Sequence, residues 1–244
     1  MKLKIMLAVV AIFASITNAS YAARGTDGNV SIVYWQAPSI LNPYLSSGTK
    51  DIESASLVIE PLGRYTETGA LVPFLAKEIP TVANGGVSAD LTSITWTLQE
   101  GLLWSDGTPV TSADVKFSAD YCMHPEGGCS QLAKFDGIKS ISIPDDLTIV
   151  VTFEGPMPNP YGPFMGGQTP IIQKAQFENC LGPKAQQCTE QNFNPIGTGP
   201  FVVTEFRPND VIQYKANQNY RDPSKPAFAT LTFKGGGDAT AAGR

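Results

Sequence analysis

Hydrophobic and polar positions alternate most regularly across residues 92–99. Thr92, Ile94, Trp96 and Leu98 point one way, and Ser93, Thr95, Thr97 and Gln99 the other. A period of two predicts a half-buried β-strand. The strand runs into residues 101–121, GLLWSDGTPVTSADVKFSADY. Asp106-Gly107-Thr108-Pro109 reads as a tight turn, because glycine takes φ > 0 without steric cost and proline stops a strand. Thr111 precedes Asp114 at the spacing of a capping box, in which a hydroxyl and a carboxylate satisfy helix N–H groups that lack partners. Val115, Ser118, Ala119 and Cys122 then share one helical face, with Phe117 and Tyr121 beside it.

Residues 29–35 set Val30, Ile32 and Tyr34 against Ser31, Val33 and Trp35; both sets are largely apolar, which predicts a strand covered on both faces. Pro38 and Pro43 make 36–48 a loop, and 51–59 reads as a short helix ended at Pro61. Asn84-Gly85-Gly86 marks a turn. Residues 138–143 and 147–153 are β-rich runs joined across Pro144-Asp145-Asp146, the pattern of a hairpin. After irregular structure around 156–170 come a helix at 173–180 and two strands, 202–206 and 211–216, about a turn at Asn209-Asp210. Leu231-Thr232-Phe233 is one more strand. Strands and helices are interspersed, so the fold class is mixed α/β, without internal repeats or low-complexity tracts.

The first residues follow a different pattern. Lys2 and Lys4 precede an almost wholly apolar stretch, 5–16, and Ser20 and Ala22 place small residues at a cleavage site. This is the layout of a secretory signal peptide over residues 1–22, with an apolar part too short to span a bilayer. Cysteine is absent before Cys122, so a lipoprotein anchor has no attachment point. The expectation is an exported chain beginning at Ala23. A formal net charge of −5 without a Lys/Arg cluster gives no electrostatic footprint for nucleic acid. Gly (23) and Pro (19) are plentiful, as suits a loop-rich exported domain.

Export also bears on the four cysteines. Cys122 and Cys129 are close in sequence, as are Cys180 and Cys188. Two local disulfides are the default in an oxidising compartment, although four cysteines permit three connectivities. A zinc site of Cys122, His124 and Cys129 is the alternative. His124 is the one histidine, and no G-x-S-x-G elbow accompanies it, so an exported hydrolase would rest on that residue alone. Gly235 to Gly237 lack a lysine in P-loop spacing, and Trp104 and Asp106 read as anchor and turn.

WSDGTPVTSADVKFS resembles the signature of the periplasmic solute-binding proteins of peptide-type ABC transporters, the oligopeptide and dipeptide binders. Leu41-Asn42-Pro43 with Ser46-Ser47-Gly48-Thr49, the segment LVPFLAKE from Leu71, and Gly197-Thr198-Gly199-Pro200-Phe201 through Asn217 and Tyr220 match the same family. The resemblance implies the first lobe of a two-lobed, type II-like binding protein with an extra subdomain. Residues 23–48 and 178–244 would form the lobe's core and 49–177 the accessory subdomain. Family members are far longer, so the second lobe is missing and the chain resembles a C-terminally truncated fragment.

The resemblance further implies a non-enzymatic subunit that binds a peptide or other small solute. An extended peptide would lie between the lobes and bond through its main chain. Ser47, Gly48 and Thr49 match the segment that meets the ligand backbone, where glycine allows close approach. The loop from Cys122 to Gln131 matches the cleft rim, which makes Gln131 a further ligand-binding candidate. Nickel, opines and sugars are the other ligand classes of the family. A membrane permease with its ATPase is the implied partner, the chain is expected to be a periplasmic monomer, and no cofactor is implied. An exported enzyme using His124 or a metal, and a passive envelope module without ligand, are the competing readings.

Overall fold

The structure is a computed structural model that describes residues 24–236. The signal peptide expected at 1–22 therefore lies outside the described residues. Three sheets account for the strands. The largest joins β1 (Asn29–Tyr34), β9 (Thr230–Gly235), β8 (Val211–Ala216) and β7 (Phe201–Arg207) in the order β1-β9-β8-β7. The β7–β8 hairpin turns at Asn209, which takes a positive φ of 63°, and β1 runs parallel to β9 with Ile32 opposite Phe233. A second sheet has the order β4-β6-β5, built from β4 (Ser93–Thr97), β5 (Ile138–Ser142) and β6 (Thr148–Phe153). A short hairpin pairs β2 (Gly63–Tyr65) with β3 (Leu71–Pro73).

Alternation in 92–99 resolves as expected: Ile94, Trp96 and Leu98 are buried and their neighbours only partly so. Helix α2 (Ser112–Met123) follows, opened by the Thr111–Asp114 capping box. One oxygen of Asp114 accepts the Thr111 N–H at 2.9 Å. The other accepts the Lys174 N–H at 2.9 Å, so the cap also fastens α3 (Lys174–Phe177) to the start of α2. Val115, Ser118, Ala119 and Cys122 are buried, and Tyr121 packs edge-on against Phe177 at 6.0 Å between ring centroids. The other two α-helices among the described residues are short, α1 (Thr49–Ala55) and α4 (Thr189–Phe193). One continuous apolar core runs from Leu41 and Tyr44 through Trp96 and Trp104 to Ile212, Tyr214 and Phe233.

Two expectations are corrected. Strand β1 lies at the edge of its sheet, paired only with β9, and Val33 is 47 % exposed and Trp35 60 % exposed, so one face is open. Alternation between two apolar sets signals a covered strand only where both faces find a neighbour. The helix expected at 173–180 stops at Phe177. Beyond it the chain turns so that Cys180 pairs with Cys188, and Gly182 sits at φ +61° with the His124 ring against it. Both short-range cysteine pairs form, Cys122 with Cys129 and Cys180 with Cys188. Neither sulfur of the first pair is then a thiolate, which removes the ligands of the zinc alternative.

Candidate functional site

After β1 the chain turns through Trp35, Gln36 and Ala37 and closes a compact loop on α1. The organising group is Asp51, in the first turn of α1 and 2 % exposed. Its carboxylate accepts the Ser39 N–H at 2.6 Å, the Ser46 hydroxyl at 2.7 Å and the Lys50 ammonium at 2.9 Å. Burial pushes this carboxyl up; hydrogen bonds from Ser39, Lys50 and Ser46 outweigh it and hold the group below the ordinary carboxylate range. Residues 39–51 are thereby tied to one ionised oxygen pair.

The predicted site residues Ser47, Gly48 and Thr49 form the outer edge of this loop. Ser47 and Thr49 are exposed and Gly48 caps α1. The Gly48 N–H donates to the Ser46 hydroxyl at 3.0 Å. A Cβ at Gly48 would stand 3.1 Å from Asp51 Oδ2 and 3.3 Å from Ser46 Oγ, so space rather than backbone conformation favours glycine here. Gln131 lies on the inner side, 5 % exposed. Its Nε2 donates to the carbonyls of Pro43 and Ser46 at 3.2 and 3.0 Å. Tyr121 and Asn42 complete that inner layer: Asn42 Nδ2 donates to the Tyr121 phenol at 3.1 Å and to Asn192 Oδ1 at 2.8 Å. Burial pushes the Tyr121 phenol up to about 12, against a small opposing effect of Asn42, so it stays neutral.

A cavity that the sequence did not announce opens beside this loop. It measures about 370 Å³ and is lined by Trp35, Gln36, Ala37, Lys50, Asn209, Asp210 and Gly235. Its floor is the carboxyl end of the parallel pair: β1 ends at Tyr34, β9 at Gly235, and the Gly236 N–H donates to the Tyr34 carbonyl at 2.6 Å. The Asn209 N–H donates to the Pro38 carbonyl at 2.8 Å, which brings the β7–β8 turn to the same rim. A Cβ at Gly235 would be 2.3 Å from the Ala37 nitrogen, so glycine is required for the two chains to meet. Clefts outside the carboxyl ends of parallel strands are where open α/β sheets bind ligands. The wall is mixed: an exposed indole, an amide, and a lysine already committed to Asp51 and Ser39.

A separate buried ion pair fixes the neighbouring segments. Glu60, 1 % exposed, accepts Arg221 Nη1 at 2.5 Å, Nη2 at 3.2 Å and the Thr198 hydroxyl at 3.1 Å. Arg221 and Arg64 flank the Phe74 ring at 5.4 and 4.2 Å. His124 stands apart from the cavity, its ring on Gly182 and its Nδ1 accepting the Glu126 N–H at 3.2 Å.

The mixed α/β fold matches solved structures of periplasmic binding proteins, and sequence similarity gives the family. Residues 70–244 match the family model described as Bacterial extracellular solute-binding proteins, family 5 Middle, and the chain belongs to that family. Its members bind substrates and are not enzymes. Protein XP55 of Streptomyces lividans is 31 % identical over 212 residues, covering 86 % of this chain and 36 % of that protein. The glutathione-binding protein GsiB of Escherichia coli is 25 % identical over 148 residues, covering 61 % and 28 %. Among solved structures, the ABC transporter substrate-binding protein CtaP of Listeria monocytogenes aligns with a TM-score of 0.75 at 26 % identity. That alignment takes in 90 % of this chain and 42 % of CtaP, so the chain spans well under half the length of these relatives. NikZ of Campylobacter jejuni, solved with Ni(L-His), gives a TM-score of 0.69 at 25 % identity over 85 % of this chain and 38 % of its own. None of the described helices is long and apolar enough to cross a membrane.

Proposed function

We propose that this chain is the first-lobe part of an extracytoplasmic solute-binding subunit that delivers peptides to an ABC transporter permease and its ATPase. The observation that carries the reading is the cavity at the carboxyl ends of β1 and β9, with exposed Trp35 on one wall and the Asp51-tied loop on another. Exposed Ser47 and Thr49 flank Gly48 at the edge of that loop, where an extended peptide can bond as an added strand does, while the Gly48 N–H and carbonyl are bonded to Ser46, Asp51 and Ile52 and hold the edge in shape. Relatives in Brucella, 28 % identical over 120 residues, are named as ABC transporter peptide-binding proteins, which supports peptide as the ligand class. Residues 1–22 act as a cleaved signal peptide, and the exported chain works as a monomer. Residues 23–48 and 178–244 form the lobe's core and 49–177 the accessory part; the placement of β1, β7, β8 and β9 in one sheet and β4 to β6 in another supports that division.

A ligand held by one lobe keeps half its surface in water. Main-chain hydrogen bonds that compete with water contribute about 0.5–1.5 kcal/mol each, too few here to offset an association cost of about 4–15 kcal/mol. Residues 23–244 alone are therefore expected to bind peptides no tighter than about millimolar. A protein extended to the length of the relatives is expected to bind in the micromolar range, and Gly48→Val in it to weaken binding at least tenfold. Calorimetry on both proteins with a set of di- to pentapeptides tests the reading. Micromolar binding by residues 23–244, or an unaffected Gly48→Val protein, would show that the site lies elsewhere.

A further inference from the structure

The two disulfide-closed loops converge on one short stretch of chain. They meet where the His124 ring lies on Gly182, so closely that a Cβ there would stand 2.6 Å from His124 Cε1. The chain just past each loop then bonds to residues 41–46. From the Cys122–Cys129 side, the Ser130 N–H donates to the Tyr44 carbonyl at 2.8 Å, and Gln131 spans the carbonyls of Pro43 and Ser46. From the Cys180–Cys188 side, the Asn192 carbonyl accepts the Leu41 N–H at 2.9 Å, and its side chain joins Asn42 to Ala185. Ser46 passes the constraint on. Its carbonyl is held by Gln131, while its hydroxyl donates to Asp51 at 2.7 Å and accepts the Gly48 N–H at 3.0 Å.

We propose that Gln131, anchored beside the Cys122–Cys129 disulfide, is a positioning residue for the Ser47–Thr49 edge and acts through the Ser46 carbonyl. The inference rests on the reading of that edge as ligand-facing. With its carboxamide buried and its Nε2 donating to two carbonyls, Gln131 shapes the surface from behind. Gln131 lies two residues past Cys129, and its N–H donates to the Cys129 sulfur at 3.4 Å, so the loop closed by the Cys122–Cys129 disulfide anchors the chain that carries the carboxamide. Chain held in its bound conformation beforehand loses less freedom when ligand arrives, which is how such a cradle raises affinity.

Amide hydrogen exchange tests this without needing a ligand. The proteins are the wild type, Gln131→Met, Gln131→Glu, and the paired Cys122→Ser/Cys129→Ser variant. Exchange at Gly48, Asp51 and Ile52, whose N–H groups bond to Ser46 and Gly48, is expected to speed up about tenfold in each, as losing one or two buried hydrogen bonds implies. Amides of the β4–β6 pair are expected to keep their protection. Should the cysteine variant fail to fold, the two Gln131 variants still decide the matter. Unchanged exchange at these three amides overturns the proposal, as does acceleration spread evenly over the sheets, which would mark a general loss of stability. In a protein extended to the relatives' length, titration with Ala-Ala-Ala forms the second arm, and Gln131→Met is expected to lower affinity about tenfold. Equal affinities would overturn the positioning role. Absence of tripeptide binding in the wild type would instead refute the peptide-binding reading, with the exchange result standing on its own.

Discussion

Replacing Asp51 by asparagine removes one charge from a buried site and almost no volume. The carboxylate now accepts Ser39 N–H, the Ser46 hydroxyl and Lys50 Nζ at 2.6, 2.7 and 2.9 Å. Hydrogen bonds to a charged group contribute about 1.5–3 kcal/mol each, and breaking a buried pair costs about 3–5 kcal/mol. Two features reduce that figure. The Lys50 side chain is 17 % exposed against 3 % for Asp51, so the lysine can turn to water. The asparagine oxygen can also still accept the Ser39 N–H. A destabilisation of about 2–3 kcal/mol is expected, measured as a shift in urea midpoint at pH 7 with unchanged slope. The same carboxyl carries a pH signature. Its native pKa is lowered, so the unfolded chain binds the proton first as pH falls. Its contribution is complete above the unfolded value of about 3.9 and is lost as pH drops through the lower native value. Wild type should lose more stability than Asp51→Asn between pH 5 and the acid limit of the native state. Equal acid sensitivity of the two proteins, or a change below about 0.5 kcal/mol at pH 7, would refute the account of this loop.

Other expectations follow from the same geometry. A Cβ at Gly197 would stand 1.9 Å from the Val58 carbonyl oxygen, itself bonded to the Gly199 N–H at 2.7 Å, so Gly197→Ala should cost at least about 3 kcal/mol or yield insoluble protein; a soluble variant with unchanged melting would contradict this. Asp114→Ala removes the capping box and the bond to the Lys174 N–H, and a loss of about 1–2 kcal/mol is expected by thermal denaturation. Trp35→Ala should leave stability within about 0.5 kcal/mol, because the side chain is 60 % exposed, yet in a protein extended to the relatives' length it should weaken peptide binding at least tenfold by calorimetry. Non-reducing peptide mapping should recover Cys122–Cys129 and Cys180–Cys188 and no crossed pairs.

What the sequence disclosed was local. Thr111 and Asp114 report on a helix start within one turn, and Ile94, Trp96 and Leu98 on one face of one strand. Both are decided by neighbours in the chain, and both appear as expected. The β7–β8 hairpin was legible for the same reason, its turn carried by Asn209-Asp210. The helix expected at 173–180 ends at Phe177, and the chain beyond it turns to the Cys180–Cys188 disulfide, a link that helical periodicity does not report. Strand β1 was misjudged because exposure depends on which strand lies beside it, and its partner β9 is some 201 residues away, as the Thr230 hydroxyl bonded to Asn29 shows. The cavity was invisible in the sequence: its walls come from 35–37, Lys50, 209–210 and Gly235, and no spacing rule links them. Resemblance pointed to Ser47, Gly48 and Thr49, but the direction in which Gln131 faces followed only from its two carbonyl partners.

The parallel pairing of β1 with β9 has a consequence for the order of events during synthesis. A chain that emerges from its N-terminus exposes β1 first, and the neighbour that pairs with it arrives only with residues 230–235. Arg24 waits as well, since its guanidinium donates to the carbonyls of Asn217, Tyr220, Asp222 and Lys225. The β4–β6 sheet and α2 draw on neighbours within one stretch of chain and can form long before that. Closing the larger sheet requires a long loop to be brought together before any contact repays the lost entropy, which makes it the slow step. Through that interval the apolar strand at 29–34 is an unpaired edge, open to association with other chains. Folding is thus expected to begin in the β4–β6 sheet and α2 and to pair β1 with β9 late.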